Sequence, residues 1–247
     1  MNNLNLCKFG LKGSSILNKK KIVVFTGAGI SAESGMQTFR DNNGLWASHR
    51  IEDVATFDAW VKNNESVLEF YNQRRLQIIQ AKPNEAHYAI TKLQEYYDVH
   101  VITQNIDDLH ERAGNTHVLH LHGEITKSRS TKSAQFIYPI KGADLHIGDV
   151  CELGSQLRPH IVWFGEEVPE MDNAIEIAEQ ADIFITIGTS LNVYPAANLI
   201  HVTAADIPKY LIDPNDFNLN SIKNLIHLKA NATEGMKILL DKLINQL

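Results

Sequence analysis

The short segment VLHLHG (118–123) contains two histidines that could take part in acid–base chemistry. Side chains alternate along a strand, so its leucines would face one side and His120 and His122 the other. Imidazole titrates near neutral pH, and His122 stands beside the glycine where we expect the strand to end, so it is a candidate general base. The alternatives are a histidine with an ordinary satisfied partner, or a metal ligand, although no third ligand is spaced nearby.

Three polar residues, Gln104, Asn105 and Asp107, follow the apolar run VHVIT (99–103). In open α/β sheets, ligands bind outside the carboxyl ends of the strands. These side chains are therefore predicted to lie in a binding site.

A glycine-rich segment, GAGISA (27–32), follows the first predicted strand and matches the pattern G-x-G-x-x-A. Glycines there allow a tight turn and let backbone N–H groups approach phosphate, which favours a dinucleotide or phosphate site. The alternative is a strand-to-helix turn that merely uses glycine. The acidic residue expected about 20 positions later, at the end of a second strand, is missing, which argues against an ordinary hydride-transfer dehydrogenase.

The elements that position these residues alternate between strands and helices. Apolar, β-branched runs predict strands at 22–27, 99–105, 117–123, 182–190, 209–213 and 224–228. Helical patterns cover 84–97, 171–181 and 233–247. This alternation predicts an α/β fold with a Rossmann-like, doubly wound parallel sheet.

Two segments interrupt the alternation. Residues 36–82 are helical without a strand, and residues 124–165 are rich in turns and show no clear period. We expect these two insertions to form a smaller domain. The expected division is an N-terminal extension (1–18), followed by one catalytic domain (19–247). Within that domain, the large part covers approximately 19–35, 83–123 and 166–247, and the small part covers approximately 36–82 and 124–165.

Composition excludes several classes of protein. The chain has 247 residues, a net charge of −6, 44% hydrophobic and 21% charged residues, as in an ordinary globular protein. Nucleic-acid binding needs a basic face, so no nucleic-acid partner is expected. No apolar run approaches the roughly 18 residues of a membrane span, and the first 20 residues lack a signal-peptide core. We therefore expect no membrane association and a cytoplasmic location.

Seven motifs, in one order, resemble those of the sirtuins, the NAD-dependent protein-lysine deacylases. They are GAGISAESG (27–35), FRDNNGLW (39–46), PNEAHYAI (83–90), TQNIDDLHERAG (103–114), LHG (121–123), RPHIVWFGEEVP (158–169) and GTSLNVYPAA (188–197). The resemblance extends from about residue 21 to the end. It implies NAD as the cofactor and acyl-lysine proteins as substrates, meeting in a cleft between the two domains, with nicotinamide and 2′-O-acyl-ADP-ribose as products.

The resemblance also implies roles for individual residues. His122 would be the base that takes a proton from a ribose hydroxyl, and Asn105 with Gln104 would contact that ribose and position water. Ile106 and Asp107 would hold the nicotinamide carboxamide. The remaining residues implied in NAD binding are Gly27, Ala28, Gly29, Ser31, Phe39, Arg40, Trp46, Gly188, Thr189, Ser190, Asp213 and Ala232. Asp213 stands where the family usually has Asn at the adenosine ribose.

Substrate contacts follow from the same resemblance. Tyr71 and Arg74 lie three residues apart on a predicted helix. Alone this spacing means little, but in sirtuins Tyr-x-x-Arg marks the subclass that removes succinyl, malonyl or glutaryl groups, whose carboxylate a guanidinium can bind. The small Ala55 would leave room for such a group. The segment IVWFGE (161–166) would be an extended edge that pairs with the substrate backbone; its contacts would be Val162, Phe164, Gly165 and, from another loop, Val193.

Sirtuins usually carry two Cys-x-x-Cys pairs that bind a structural zinc. Here the first pair is replaced by Ser130 and Ser133, and the second retains Cys151 but has Gly154. We therefore predict no zinc. A small apolar cluster would stabilise this region instead, formed by Phe136, Ile137, Tyr138, Ile140, Leu145, Ile147 and Val150.

Two other functions are compatible with an NAD site. One is a protein ADP-ribosyltransferase or NAD hydrolase on the same scaffold, and the other is a non-catalytic NAD or ADP-ribose sensor. His122, Asn105 and the FGE segment argue against the transferase or hydrolase, since deacylation requires all three. The intact base and the water-positioning Asn105 argue against the sensor.

Overall fold

The computed structural model describes residues 19–36, 50–189, 193–217 and 221–246. Its strands are β1 (Lys21–Thr26), β2 (Asp98–Thr103), β3 (Val118–His120), β4 (Gly123–Ser130), β5 (Ile137–Pro139), β6 (Leu157–Ile161), β7 (Ile183–Ile187), β8 (Lys209–Ile212) and β9 (Leu225–Leu228). Its α-helices are α1 (Gly29–Ala32), α2 (Ile51–Val54), α3 (Phe57–Lys62), α4 (Asn64–Gln80), α5 (Glu85–Leu93), α6 (Leu109–Ala113), α7 (Met171–Glu179), α8 (Leu199–Val202) and α9 (Ala232–Ile244). No helix in these ranges is long and apolar enough to cross a membrane.

The larger sheet has six strands in the order β3-β2-β1-β7-β8-β9, and every neighbouring pair is parallel. Its central strands are apolar on both faces because helices cover both. Ile22 and Val24 pack towards α5 and α9, whereas Val23 and Phe25 pack towards α7 and α8. The predicted α/β fold with a doubly wound parallel sheet is confirmed.

A second, antiparallel sheet with the order β5-β4-β6 occupies the stretch that we described as rich in turns and without a clear period, and we predicted no sheet there. The expectation was wrong because hydrophobicity does not alternate along β4 (GEITKSRS). Its buried positions are Ile125, Ser128 and Ser130, so two of the three carry hydroxyl groups. Strand periodicity is visible only when the buried positions are apolar.

The two insertions share a hydrophobic core, which confirms a smaller domain built from both. Trp60 from α3 and Phe70 from α4 belong to the same buried cluster as Ile125 of β4 and Ile161 of β6. Helix α4 is the longest element of this region and begins where the side chain of Asn63 accepts a hydrogen bond from the backbone N–H of Ser66.

The strand predicted at 117–123 is shorter than expected. It ends at His120, and Gly123 begins β4 instead of ending β3. Gly123 has φ +77°, and a Cβ there would lie 2.1 Å from the carbonyl oxygen of His160 on β6. The glycine therefore lets the chain turn from the larger sheet into the smaller one, and His122 lies in that turn.

Candidate active site

A cleft of about 640 Å³ lies at the carboxyl ends of β1, β2, β7 and β8, and its opposite wall comes from α4 and the segment after β6. The predicted site residues that line it are Ala28, Gly29, Ser31, Ala55, Tyr71, Arg74, Gln104, Asn105, Ile106, Asp107, His122, Val162, Phe164, Gly165, Gly188, Thr189, Val193, Asp213 and Ala232. Gly27 is not part of the lining. Phe39, Arg40, Trp46 and Ser190 lie outside the described residues.

The floor of the cleft is formed by backbone from two tightly packed loops. The N–H of Gly29 donates to the carbonyl of Gly188 at 2.8 Å, and a Cβ on Gly29 would lie 2.6 Å from the Gly188 Cα. A Cβ on Gly27 would lie 2.7 Å from the Cβ of Thr189. Gly27 is therefore required for packing beneath the floor of the cleft. At Gly29 and Gly188 the absence of side chains leaves room for a phosphate-bearing ligand.

The polar residues after β2 form one hydrogen-bonded group with the glycine loop. Asn105 Nδ2 donates to the Gly27 carbonyl and to Ser31 Oγ, both at 3.2 Å, and Ser31 Oγ donates to Asp107 Oδ2 at 3.0 Å. Burial raises the pKa of Asp107, against the hydrogen bonds that lower it. These contacts fix the side-chain amide of Asn105 before any ligand binds.

Gln104 has an unsatisfied donor in the cleft. Its Oε1 accepts a hydrogen bond from Thr189 Oγ1 at 3.1 Å, whereas its buried Nε2 has no hydrogen-bond partner among the described residues. A buried donor without a partner is costly, and a ligand hydroxyl would satisfy it. The bare glycine floor and this donor together fit a dinucleotide with ribose groups, as NAD has.

His122 is held in the tautomer that a general base needs. Its Nδ1 lies 3.0 Å from the carbonyl oxygen of Gln104. A carbonyl only accepts, so Nδ1 carries the proton and Nε2 has the free lone pair. Burial lowers the pKa of His122, although the bond to Gln104 opposes this, and the ring is therefore neutral at pH 7. His122 is thus ready to accept a proton.

His120 has a different environment and is not part of the cleft lining. Its Nε2 lies 2.8 Å from Glu111 Oε1, and its Nδ1 lies 3.0 Å from the carbonyl oxygen of Asn105. Burial alone would lower the pKa of His120, but the hydrogen bond and charge of Glu111 outweigh it and raise the pKa. The two histidines therefore anchor the carbonyls of consecutive residues, Gln104 and Asn105, and only His122 reaches the cleft.

The part of the cleft wall formed by α4 contains a buried cation and a buried phenol. Tyr71 and Arg74 are 3% and 9% exposed and lie one turn apart on α4. The indole N–H of Trp163 donates to Tyr71 Oη at 3.0 Å, and Arg74 Nη1 lies 3.4 Å from Gln77 Oε1. Ala55 lies in the same wall, and its carbonyl accepts a hydrogen bond from the N–H of Phe164. This end of the cleft can therefore hold an anion.

The adenosine end that the sequence predicted is formed by the residues after β8 and by the start of α9. Asp213 Oδ1 accepts hydrogen bonds from the backbone N–H and the Nδ2 of Asn215, both at 2.9 Å. Ala232 begins α9 and is 5% exposed. Asp213 therefore shapes its own turn in addition to facing the cleft.

The family model described as the Sir2 family matches residues 27–195. The chain belongs to the Sir2 family.

Relatives and solved structures agree with this assignment over nearly the whole chain. A protein of Helicobacter pylori strain J99 named NAD-dependent protein deacylase is 48% identical over 225 residues, which is 91% of this chain and 96% of that one. A protein of the same name from Bacteroides thetaiotaomicron is 46% identical over 230 residues, which is 91% and 98%. A Sir2 homologue in complex with NAD superposes with a TM-score of 0.82 at 37% identity, over 92% of this chain and 91% of that one.

The residues at the usual zinc positions do not fit the metal in this Sir2 protein. The thiol of Cys151 donates to Ser130 Oγ at 3.2 Å, and Ser155 Oγ lies 3.3 Å from Ser130 Oγ and 2.6 Å from Thr131 Oγ1. One thiol among hydroxyls lacks the ligands that a structural zinc requires. No group of three or more His, Cys, Asp or Glu side chains in the described ranges could hold a metal ion. That the protein carries no zinc remains a prediction.

The apolar cluster that we expected in this region is wrong. Ile137, Ile147 and Val150 are 43–53% exposed, and Leu145 alone of the seven residues is fully buried. Polar anchors from α4 take its place. Asn72 bonds both the N–H and the carbonyl of Leu145, and the buried Arg75 donates to the carbonyls of Ile125 and Ala143.

Sequence reasoning also missed residues that support the site. Trp163 was given no role of its own within the motif IVWFGE. Its indole N–H nevertheless donates to Tyr71 Oη, and Arg158 and Glu166 form an ion pair beside it. The regular strand β6 ends at Ile161, and Phe164 forms an isolated parallel bridge with Thr56. The N–H groups of Val162, Trp163 and Phe164 are bonded within the protein, and pairing of this segment with a substrate remains a prediction. Glu166, three positions after Trp163, was the feature of the sequence that could have indicated this supporting ion pair.

Proposed function

We propose that this Sir2-family protein is an NAD-dependent protein deacylase that removes succinyl and malonyl groups, as well as acetyl groups, from lysine side chains. The products would be nicotinamide and 2′-O-acyl-ADP-ribose. The observation that carries the acyl preference is the pair Tyr71 and Arg74, buried in the cleft wall opposite the glycine loop. Relatives that are 46–48% identical bear the name NAD-dependent protein deacylase.

When bound, NAD would supply a carbon made electrophilic by the departing nicotinamide and a ribose hydroxyl that can attack the acyl group. The chain would orient these groups. His122 Nε2 would take the proton of the ribose hydroxyl, since Nδ1 is committed to Gln104. Gln104 Nε2 and Asn105 would contact the ribose, and Ile106 with Asp107 would hold the carboxamide. The backbone of Ala28, Gly29, Gly188 and Thr189 would face the phosphates and adenosine.

Arg74 favours an acyl group that ends in a carboxylate. A guanidinium that is 9% exposed has few contacts with water, and its planar N–H groups can bind a carboxylate through charge and paired hydrogen bonds. An acetyl group would offer neither. The small, buried Ala55 leaves space beside the pair for the additional carbons.

The substrate backbone would enter between two segments of the cleft rim. Because the N–H groups of residues 162–164 are bonded internally, a substrate cannot pair with them as with a free strand edge. We place the pairing at the carbonyl of Val162, at Gly165, whose φ is +87°, and at the half-exposed Val193 across the cleft.

The test is nicotinamide release from NAD with matched succinyl-lysine and acetyl-lysine peptides, beside His122→Ala. We expect release that requires an acyl peptide, is at least as great with the succinyl peptide as with the acetyl peptide, and disappears in the variant. Release without either peptide would contradict deacylation and favour an ADP-ribosyltransferase or NAD hydrolase. Greater release with acetyl-lysine than with succinyl-lysine would leave deacylation standing and overturn the acyl preference.

A further inference from the structure

We infer that Trp163 is a positioning residue that sets acyl specificity: its indole N–H occupies the acceptor side of Tyr71 Oη, so that the phenol can only donate to the carboxylate of a dicarboxylic acyl group. The inference rests on the proposed preference for succinyl and malonyl groups. Neither the Sir2 assignment nor the Tyr-x-x-Arg spacing assigns a role to this tryptophan.

The direction of the hydrogen bond follows from the chemistry of the two groups. Trp163 Nε1 lies 3.0 Å from Tyr71 Oη, and an indole N–H is a donor only, so the phenol oxygen must accept. Trp163 is the hydrogen-bond partner of Tyr71 in the part of the chain that the structure describes. The Tyr71 proton is then left for an acceptor in the cleft, which Tyr71 lines. Burial raises the pKa of Tyr71, so the phenol keeps that proton.

Trp163 is itself fixed by an ion pair. The guanidinium carbon of Arg158 lies 3.3 Å from the centroid of the indole ring, and Arg158 binds Glu166 through two nitrogens at 2.6 and 2.9 Å. Glu166 Oε2 also accepts the backbone N–H of Trp163 at 2.8 Å. Backbone and ring of the tryptophan are therefore held by the same two charged residues, and Trp163 is 2% exposed.

The direction of the Tyr71 hydroxyl should affect the binding of acyl groups that end in a carboxylate, and it should not affect the binding of acetyl groups. A phenol without the Trp163 bond could turn its lone pairs towards the cleft, where they would repel a carboxylate. Held by Trp163, it adds a donor beside the cation of Arg74. An acetyl group has no carboxylate and should not respond to the orientation of this hydroxyl.

The experiment is Trp163→Phe, which keeps a ring for Arg158 to stack on and removes the N–H. We expect KM for a succinyl-lysine peptide to rise about three- to tenfold with kcat unchanged, as for the loss of one hydrogen bond that acts in binding. Both parameters for the acetyl-lysine peptide should change by less than about twofold. Trp60→Phe is the matched control. Trp60 belongs to the same cluster, and its ring centroid lies 5.8 Å from that of Trp163 with the planes tilted by 36°, so the variant should leave the succinyl-to-acetyl ratio unchanged.

A second comparison separates positioning from general damage. In a Tyr71→Phe background, adding Trp163→Phe should cost nothing further with the succinyl peptide, because the hydroxyl it positions is gone. Additive losses there, or equal losses on both peptides from Trp163→Phe alone, would overturn the inference. Arg74→Met distinguishes the two proposals. If Arg74→Met lowers activity only with the succinyl peptide while Trp163→Phe lowers both activities equally, only the role of Trp163 is wrong. If Arg74→Met lowers both activities equally, the proposed acyl preference is wrong and the inference about Trp163 is wrong with it.

Discussion

Arg74→Met removes the cation that we propose binds the acyl carboxylate. Methionine has a similar length and fills the space along α4, so the cleft wall should keep its shape. The side chain of Tyr71 and its bond to Trp163 lie one turn away and remain in place. The change therefore tests charge and hydrogen bonding, with little change in packing.

The magnitude follows from the burial of Arg74. Its 9% exposure means that water cannot substitute well for the lost guanidinium. A hydrogen bond to a charged group contributes about 1.5–3 kcal/mol, so kcat/KM for a succinyl-lysine peptide should fall roughly 10- to 150-fold. For an acetyl-lysine peptide, kcat/KM should stay within about twofold of its value in the unmutated protein, because an acetyl group has no carboxylate for Arg74 to bind.

The assay is steady-state deacylation of one peptide sequence carrying either acyl group, with the ratio of the two kcat/KM values as the readout. Lys237→Met is the control, since it removes a cation that is exposed on α9 and does not line the cleft. A parallel loss of both activities in Arg74→Met would refute the proposed role, because a residue that serves only the acyl carboxylate cannot affect deacetylation.

Three further predictions concern stability. Burial lowers the pKa of His87 to about 4, so the folded protein binds fewer protons than the unfolded chain at mildly acidic pH. The contribution of His87 to the free energy of unfolding is complete above the unfolded pKa of about 6.5 and falls by about 3 kcal/mol by pH 4. Urea unfolding across this pH range should show the loss, and His87→Gln should make the free energy of unfolding depend less on pH. An unchanged pH dependence in the variant would contradict this. Elemental analysis should find far less than one zinc per chain, and a chelator should leave Tm unchanged; stoichiometric zinc would contradict the prediction. Arg75→Met should lower the free energy of unfolding by about 2–4 kcal/mol, because it leaves the carbonyls of Ile125 and Ala143 without a donor; a loss below about 0.5 kcal/mol in urea unfolding would show that those carbonyls find other partners.

The catalytic half of the cleft could be predicted from the sequence because its chemistry follows regular elements. The glycine loop after β1 and the polar residues after β2 come at strand ends, and parallel strands bring such ends to one edge. Individual roles, such as His122 as the base, came from the family resemblance and remain proposals. The residues alone favoured His122 over His120 because His122 precedes the glycine expected to end the strand. In the structure β3 already ends at His120, and the two histidines have different partners.

The small domain could not be predicted in the same way because its buried positions are polar. Ser128 and Ser130 are buried on β4, and Arg75 is completely buried on α4. Pattern reasoning places such residues at the surface, since buried polar groups require partners that only the fold supplies. The same reasoning selected exposed residues such as Ile147 for a core that does not exist.

Helix α4 connects the two unusual features of this Sir2 protein. Tyr71 and Arg74 face the cleft, whereas Asn72 and Arg75, each one position later and therefore about 100° around the helix, bond the loop and strand of the small domain. In sirtuins that have both Cys-x-x-Cys pairs, we expect a bound metal to stabilise this domain. In this protein, the helix that carries the proposed acyl-binding residues also carries Asn72 and Arg75, which bond the small domain. Hydrogen bonds between that helix and β4 therefore come from the same two turns that carry the proposed acyl-binding residues. The side-chain hydrogen bonds of His122 and Asn105 go to Gln104 after β2 and to the glycine loop, although the His122 carbonyl also accepts from the N–H of Val162. Loosening of the small domain should therefore affect acyl selectivity before it affects the orientation of the His122 ring.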